Sequence, residues 1–103
     1  MFLFGKKRKQ KLSKVLSLHG MAIRYVTERI NDNDDIVGRG GTISIRDGEV
    51  IVFASSDVIF RSRVEETEVS DLMSGDGVVI SAKDIAHGNA ERTIIAYYVY
   101  YRK

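Results

Sequence analysis

The sequence of 103 residues contains no cysteine, no proline and no tryptophan. Without cysteine no disulfide can form, and the two histidines, His19 and His87, are too far apart in the chain to indicate a zinc site. Without proline, every residue of a strand can donate its backbone N–H to a neighbouring strand. No apolar run reaches the ~18 residues that span a membrane, and no apolar signal-peptide segment follows the N-terminal charges. We therefore expect a cytoplasmic protein without a metal centre.

Motifs that carry catalytic chemistry are also missing. The acidic residues within 32–35 do not form an EF-hand loop, because its sixth and twelfth positions hold Val37 and Ile43 instead of glycine and glutamate. The glycine-rich residues 38–41 lack the Lys-Ser/Thr pair and the following helix of a phosphate-binding loop, and no Gly-x-Ser-x-Gly elbow is present. We expect no enzyme, no cofactor and no small-molecule substrate. A cavity where two or more titratable side chains converge would favour an enzyme instead.

Charge is distributed unevenly along the chain, although the net charge is only +2. Residues 1–14 hold six basic and no acidic side chains, whereas the other 89 residues hold 10 basic and 14 acidic ones. Like charges repel, and little apolar content is available to hold the first residues down. The sequence predicts a basic N-terminal arm at 1–11, followed by a single globular β-rich domain at 12–103.

A β-hairpin is the clearest local prediction. Asp47 and Gly48 stand between two alternating β-rich runs, and both residue types tolerate the positive φ angles of a type I′ turn. A two-residue turn places Ile45 opposite Val50 on one face, which we expect to be the core face. Ile43 and Val52 then form the next pair on that face.

The rest of the chain is predicted to contain further short elements. Leu12, Val15, Leu16 and His19 share one face of a short helix, which Gly20 would end. Residues 21–30 fit both a strand and a helix, and their β-branched and aromatic content favours a strand. Loops are expected at 31–35 and 38–41, and a turn or short helix within 65–74.

These elements predict a mainly β fold. We expect a small antiparallel barrel or strongly bent sheet of about six strands, with one or two short helices. This order of elements resembles pleckstrin-homology-like and related small barrels. The likeness concerns the fold alone, and such folds host many unrelated functions.

The C-terminal run, residues 93–101, is apolar on both of its alternating sides, which indicates that both faces of this strand are covered. The cover can come from the domain itself or from another subunit. Tyrosine is enriched at protein interfaces, so the run favours a non-catalytic binding or assembly module whose partner is a protein or a second copy. The interface candidates are Ile94, Tyr98 and Tyr100.

The basic arm offers two alternatives to protein binding. Apolar and basic side chains together favour peripheral attachment to an anionic membrane; those in the arm are Phe2, Leu3, Phe4, Lys6, Lys7, Arg8, Lys9 and Lys11. Nucleic-acid binding through the arm and the tyrosine-rich strand is the other alternative, which the acidic body disfavours. A terminus that only aids solubility is the simplest interpretation of the same residues.

Overall fold

The computed structural model describes residues 12–99. The predicted arm at 1–11 and Tyr100 lie outside this range. Seven antiparallel strands form one curled sheet, a half-barrel, in the order β4-β3-β2-β1-β7-β6-β5. The strands are β1 (Ala22–Ile30), β2 (Asn33–Arg46), β3 (Glu49–Ala54), β4 (Asp57–Arg63), β5 (Glu68–Asp71), β6 (Gly77–Asp84) and β7 (Ala90–Tyr98). The predicted fold class is confirmed, with one strand more than expected.

The hairpin prediction is confirmed in its turn and its register. Asp47 and Gly48 have φ angles of 51° and 74°, as a type I′ turn requires. Ile45 pairs with Val50, and both side chains face the core or pack against it. Residues 21–30 form a strand from position 22 onward, so the interpretation as a strand is confirmed as well.

The loop expected at 38–41 is wrong, and the loop expected at 31–35 is confirmed only at its first two residues, because β2 begins at Asn33 and runs through the rest. Only Asn31 and Asp32 form a turn, with φ angles of 49° and 68°. From there β2 continues for 14 residues and pairs with β1 and β3. The glycines permit this pairing, since a Cβ atom on Gly41 would lie 1.7 Å from the carbonyl oxygen of Phe53.

The segment 65–74 is only partly the turn or short helix that its spacing predicts. A 3-10 turn at Val64–Glu66 leads into the short strand β5, and residues 72–76 then turn the chain into β6. Val69 pairs with Ile80 of β6 and packs against the core. Pairing with β6 therefore decides the conformation here, and helical spacing does not.

A short helix covers one end of the half-barrel, and its buried face differs from the predicted one. Residues 12–16 are helical, and the core contacts come from Val15 and Leu18, whereas Leu12 and Leu16 are exposed. Hydrogen bonds just after the helix fix this orientation: the N–H of Ile45 donates to Nδ1 of the His19 side chain at 2.9 Å, and the N–H of Gly20 donates to the carbonyl of Ile43 at 2.8 Å. None of the helices among residues 12–99 is long and apolar enough to cross a bilayer.

Candidate interaction surface

The outer face of the four neighbouring strands β2, β1, β7 and β6 carries apolar side chains where a solvent-facing sheet normally carries polar ones. Register places these side chains in two adjacent rows that cross the strands. We call this surface the outer patch; it consists of Tyr25, Thr27, Ile36, Val79, Ile95 and Tyr97. At its centre the rings of Tyr25 and Tyr97 stack with centroids 4.5 Å apart and planes 23° from parallel.

Side chains of the outer patch shield one another from solvent. Ile95 is only 1% exposed and Thr27 only 5%, although both lie on the face opposite the core. Ile36, at the side of the patch, is 49% exposed. Crowding of this kind makes the patch one continuous apolar surface on the face opposite the core.

Polar groups border the outer patch. The guanidinium of Arg24 lies 5.2 Å from the centroid of the Tyr25 ring, within the range of a cation–π contact. On the next row the side chains of Arg29 and Asp34 form an ion pair at 3.2 Å. An apolar, aromatic centre with a polar border is the usual anatomy of a protein interface.

The edge strands β4 and β5 are poor places for another strand to add. β5 has only four residues, and exposed Glu68, Ser70 and Asp71 make its edge polar and charged. At the edge of β4, the N–H of Arg61 donates to Oδ1 of Asp84 at 3.1 Å. The carbonyl of Ile59 on the same edge accepts from Nη1 of Arg92 at 2.8 Å. Association through the face of the sheet is therefore favoured over strand addition.

The side chains that occupy the β4 edge belong to a buried ionic cluster, the clasp, formed by Glu28, Asp84 and Arg92. Nε and Nη2 of Arg92 donate to the two carboxylate oxygens of Glu28 at 2.9 and 2.7 Å. Nη1 of Arg92 also donates to Asp84. Relative side-chain exposure is 14% for Arg92, 18% for Glu28 and zero for Asp84. The clasp therefore joins β1, β6 and β7 to the open edge of β4.

The clasp holds its three groups in their charged forms. The hydrogen bond from Arg92 lowers the pKa of Glu28, against the opposing effect of burial. Burial raises the pKa of Asp84, but hydrogen bonds from the N–H of Arg61 and from Arg92, His87 and Ala86 together outweigh it, so this pKa is lowered. The hydrogen bond to Glu28 raises the pKa of Arg92.

A cavity of about 370 Å³ opens beside the clasp, and titratable side chains do converge on it. Its lining consists of Val37, Asp57, Val58, Ile59, His87 and Arg92. Nδ1 of His87 lies 2.7 Å from Oδ2 of Asp84, which orients the imidazole for proton exchange. No serine, threonine, cysteine or lysine is among these lining residues, and four of the five N–H groups of Arg92 are already donated within the protein.

The chemistry that this cavity offers is therefore limited to one oriented imidazole and one surface carboxylate. A hydroxyl, thiol or amine nucleophile beside the base is the usual requirement for covalent catalysis. Among residues 12–99, no group of three or more histidine, aspartate and glutamate side chains is placed to hold a metal ion. The cavity lining provides no hydroxyl, thiol or amine nucleophile beside His87.

Two of the three predicted interface residues lie within the described range, and both are on the inner face of β7. Ile94 is fully buried in the core, so it does not reach the surface. Tyr98 is half-buried and packs against the core, and burial, followed by the charge of Asp71, raises its pKa. The inner face of β7 at Ile94 and Ala96 is thus covered within the domain, whereas Ile95 belongs to the outer patch.

The outer patch cannot be recognised from the C-terminal run by itself, because its two rows of side chains cross four strands. Tyr97 gains its significance from Tyr25 on β1, which pairing alone brings alongside. Alternation in both runs was the available signal, but it does not identify which strands are neighbours. No family model, curated protein or solved structure matches the chain, so the function is inferred from this geometry.

Proposed function

We propose that this domain is a non-catalytic binding module that associates with a second copy of itself through the outer patch. The stacked pair Tyr25 and Tyr97, at the centre of a continuous apolar surface, is the observation that carries the proposal. Aromatic side chains in such central positions dominate the energetics of most protein interfaces. The short, polar edge of β5 and the side-chain hydrogen bonds at the edge of β4 favour face-to-face contact as the mode of association.

A second copy is the partner that fits this surface best. Two-fold symmetric dimers bring the same patch together on both sides, and an apolar centre without net charge is complementary to itself. The border carries both signs, since β2 holds Asp34 on one side of Ile36 and Arg39 on the other. Antiparallel stacking of two copies would place unlike charges near each other, at the sheet separation of ~10 Å.

The size of the outer patch predicts weak association. Four strands about 4.8 Å apart span ~19 Å, and two rows of side chains with their margins cover ~14 Å, which gives roughly 270 Å² on each copy. Stable complexes bury about 800 Å² on each partner. We therefore expect a dissociation constant in the micromolar range or above.

Analytical ultracentrifugation over ~10 to ~500 µM protein tests this proposal at the affinity expected. The weight-average mass of the wild-type protein should rise with concentration. Ile36→Lys should keep the protein monomeric, because it places a charge within the outer patch. Ile30→Lys is the matched control, because the two isoleucines have similar exposure and lie on paired strands. Ile30, at the end of β1, is 45% exposed, and Ile36, on β2, is 49% exposed.

Two results would contradict the proposal. If the wild-type protein stays monomeric over the whole concentration range, self-association is excluded. Equal loss of association in Ile30→Lys and Ile36→Lys would show that the outer patch is not the contact. Circular dichroism of both variants must match that of the wild type for either comparison to count.

A further inference from the structure

We propose that one end of the half-barrel docks on an anionic lipid membrane, independently of the outer patch. We call this end the helical pole; its exposed apolar side chains are Leu12, Leu16 and Met73. Their relative exposures are 43%, 47% and 105%.

The two leucines of the helical pole cannot turn inward. Leu12 and Leu16 are four residues apart on residues 12–16 and therefore share one face of the helix. Val15 is fully buried and Leu18 is 5% exposed, so these two residues anchor the helix and the turn after it in the core, whereas Leu12 and Leu16, beside Val15 on the helix, stay partly exposed. The fold thus presents both leucines to the outside in a fixed orientation.

Met73 belongs to the same end of the domain. Nζ of Lys14 on the helix lies 2.7 Å from Oδ2 of Asp71, at the end of β5, and Met73 follows two residues later. This ion pair holds the helix beside the turn at 72–76. It also compensates the charge of Asp71, which would otherwise repel an anionic surface.

Both ends of the described chain lie at the helical pole. The described range begins with the helical residue 12, and the N–H of Val99 donates to the carbonyl of Ala22, where β1 begins, at 3.1 Å. The segments outside the described range therefore attach here. Their sequences contain seven basic side chains and no acidic side chain: Lys6, Lys7, Arg8, Lys9, Lys11, Arg102 and Lys103.

Acidic side chains cluster at the opposite end of β1. Asp32, Asp34 and Asp35 lie in or next to the turn that follows this strand. The nine residues of β1 correspond to a separation of ~30 Å, and the Debye length at physiological ionic strength is only ~8 Å. Repulsion at the acidic end therefore does not reach the helical pole, where Lys14 and the basic side chains of the adjoining segments outnumber Asp71 and Asp76. This excess of positive charge orients the domain with the helical pole toward an anionic surface.

Lipid fits the helical pole better than nucleic acid does. Each basic side chain near an anionic membrane strengthens binding about fivefold. Phosphates of nucleic acid attract the same charges, but they offer no apolar layer for Leu12, Leu16 and Met73. Basic side chains next to outward-facing leucines are the combination found in segments that bind membrane surfaces.

Co-sedimentation of the full chain with vesicles tests this inference. The vesicles are phosphatidylcholine alone or phosphatidylcholine with about 30% phosphatidylserine, at ~0.1 and ~0.5 M salt. We expect binding to the anionic vesicles only, and weaker binding at the higher salt. Leu16→Glu should lower the partition coefficient roughly tenfold, because it removes an apolar contact and adds a negative charge. Ile30→Glu, a similarly exposed residue at the opposite end, should leave the coefficient within about twofold.

Several outcomes would overturn the inference. They are no wild-type binding, equal binding to neutral vesicles, and equal binding by Leu16→Glu and the wild type. Fluorescence anisotropy with a DNA duplex adds one more test. Duplex binding stronger than vesicle binding, and unaffected by Leu16→Glu, would identify the basic segments as a nucleic-acid site. None of these outcomes bears on self-association, which the Ile36→Lys variant tests separately.

Discussion

Replacing Arg92 by methionine would remove the cation of the clasp while keeping a side chain of similar length. Glu28 and Asp84 would then be two buried carboxylates without a counter-charge. The carbonyl of Ile59 on the edge of β4 would lose its hydrogen bond from Nη1. Both losses act on the contacts that hold β4 to β6 and β7, so the substitution tests whether the clasp keeps the half-barrel closed.

The magnitude follows from the burial of the cluster. Removing one partner of a buried ion pair destabilises a protein by about 3–5 kcal/mol, mostly because the remaining charge is left uncompensated. A domain of this size has a free energy of unfolding of about 5–15 kcal/mol, so Arg92→Met should remove a large part of it. Arg29→Met is the matched control, because the pair of Arg29 and Asp34 is exposed and should contribute less than about 1 kcal/mol.

The pH dependence provides a second, independent check. The pKa values of Glu28 and Asp84 are lowered in the folded protein, so their contribution is complete above their ordinary values of 4.5 and 3.8 and is lost as pH falls through the lowered ones. In Arg92→Met the guanidinium no longer lowers either pKa, and protonation relieves the uncompensated charge. The difference in unfolding free energy between the two proteins should therefore narrow from about pH 7 to about pH 4.

Urea unfolding followed by circular dichroism, at several pH values, measures both effects. Equal losses in Arg92→Met and Arg29→Met would refute the assignment of the clasp as the closure of the sheet. A difference between wild type and Arg92→Met that stays constant with pH would show that lost packing, and not uncompensated charge, causes the destabilisation.

Three further substitutions test the packing, each by its urea midpoint. Gly41→Ala should prevent folding, because its Cβ would lie 1.7 Å from the carbonyl oxygen of Phe53; a soluble variant with an unchanged midpoint would contradict this. Thr27→Val should stabilise the domain by about 1 kcal/mol, since the buried Oγ1 of Thr27 has no hydrogen-bond partner, and a lower midpoint would disprove it. Leu18→Ala should cost about 2–4 kcal/mol; a loss below about 1 kcal/mol would mean that the helix is not docked on the core.

Local turn chemistry explains why much of the fold could be predicted from the sequence. Asp47 and Gly48 adopt positive φ angles with little strain, so their hairpin and its register follow from adjacent residues. The β-branched and aromatic content of 21–30 likewise favoured the strand that the structure contains.

Interactions between distant segments explain the elements that were not predicted. Glycines in 38–41 are typical of a loop, but β1 pairs with Gly38, Arg39 and Gly41, and β3 pairs with Gly41. These pairs keep the segment within the sheet, although Gly40 has a φ angle of 64°. β5 exists because residues 68–71 pair with β6. Helical spacing at 12–19 gave the wrong buried face, because the core contacts at the end of the half-barrel select Val15 and Leu18.

The sequence by itself determined the mainly β class, the hairpin at Asp47 and Gly48 and the separation of basic from acidic charge, because each depends on residue types at short spacing. Only the tertiary structure decided the outer patch and the clasp. Tyr25 stacks on Tyr97, and Glu28 binds Arg92 64 residues along the chain, because β1 and β7 are neighbours in the sheet. Alternation within one strand indicates which residues share a face, but only strand pairing determines which residues lie beside them.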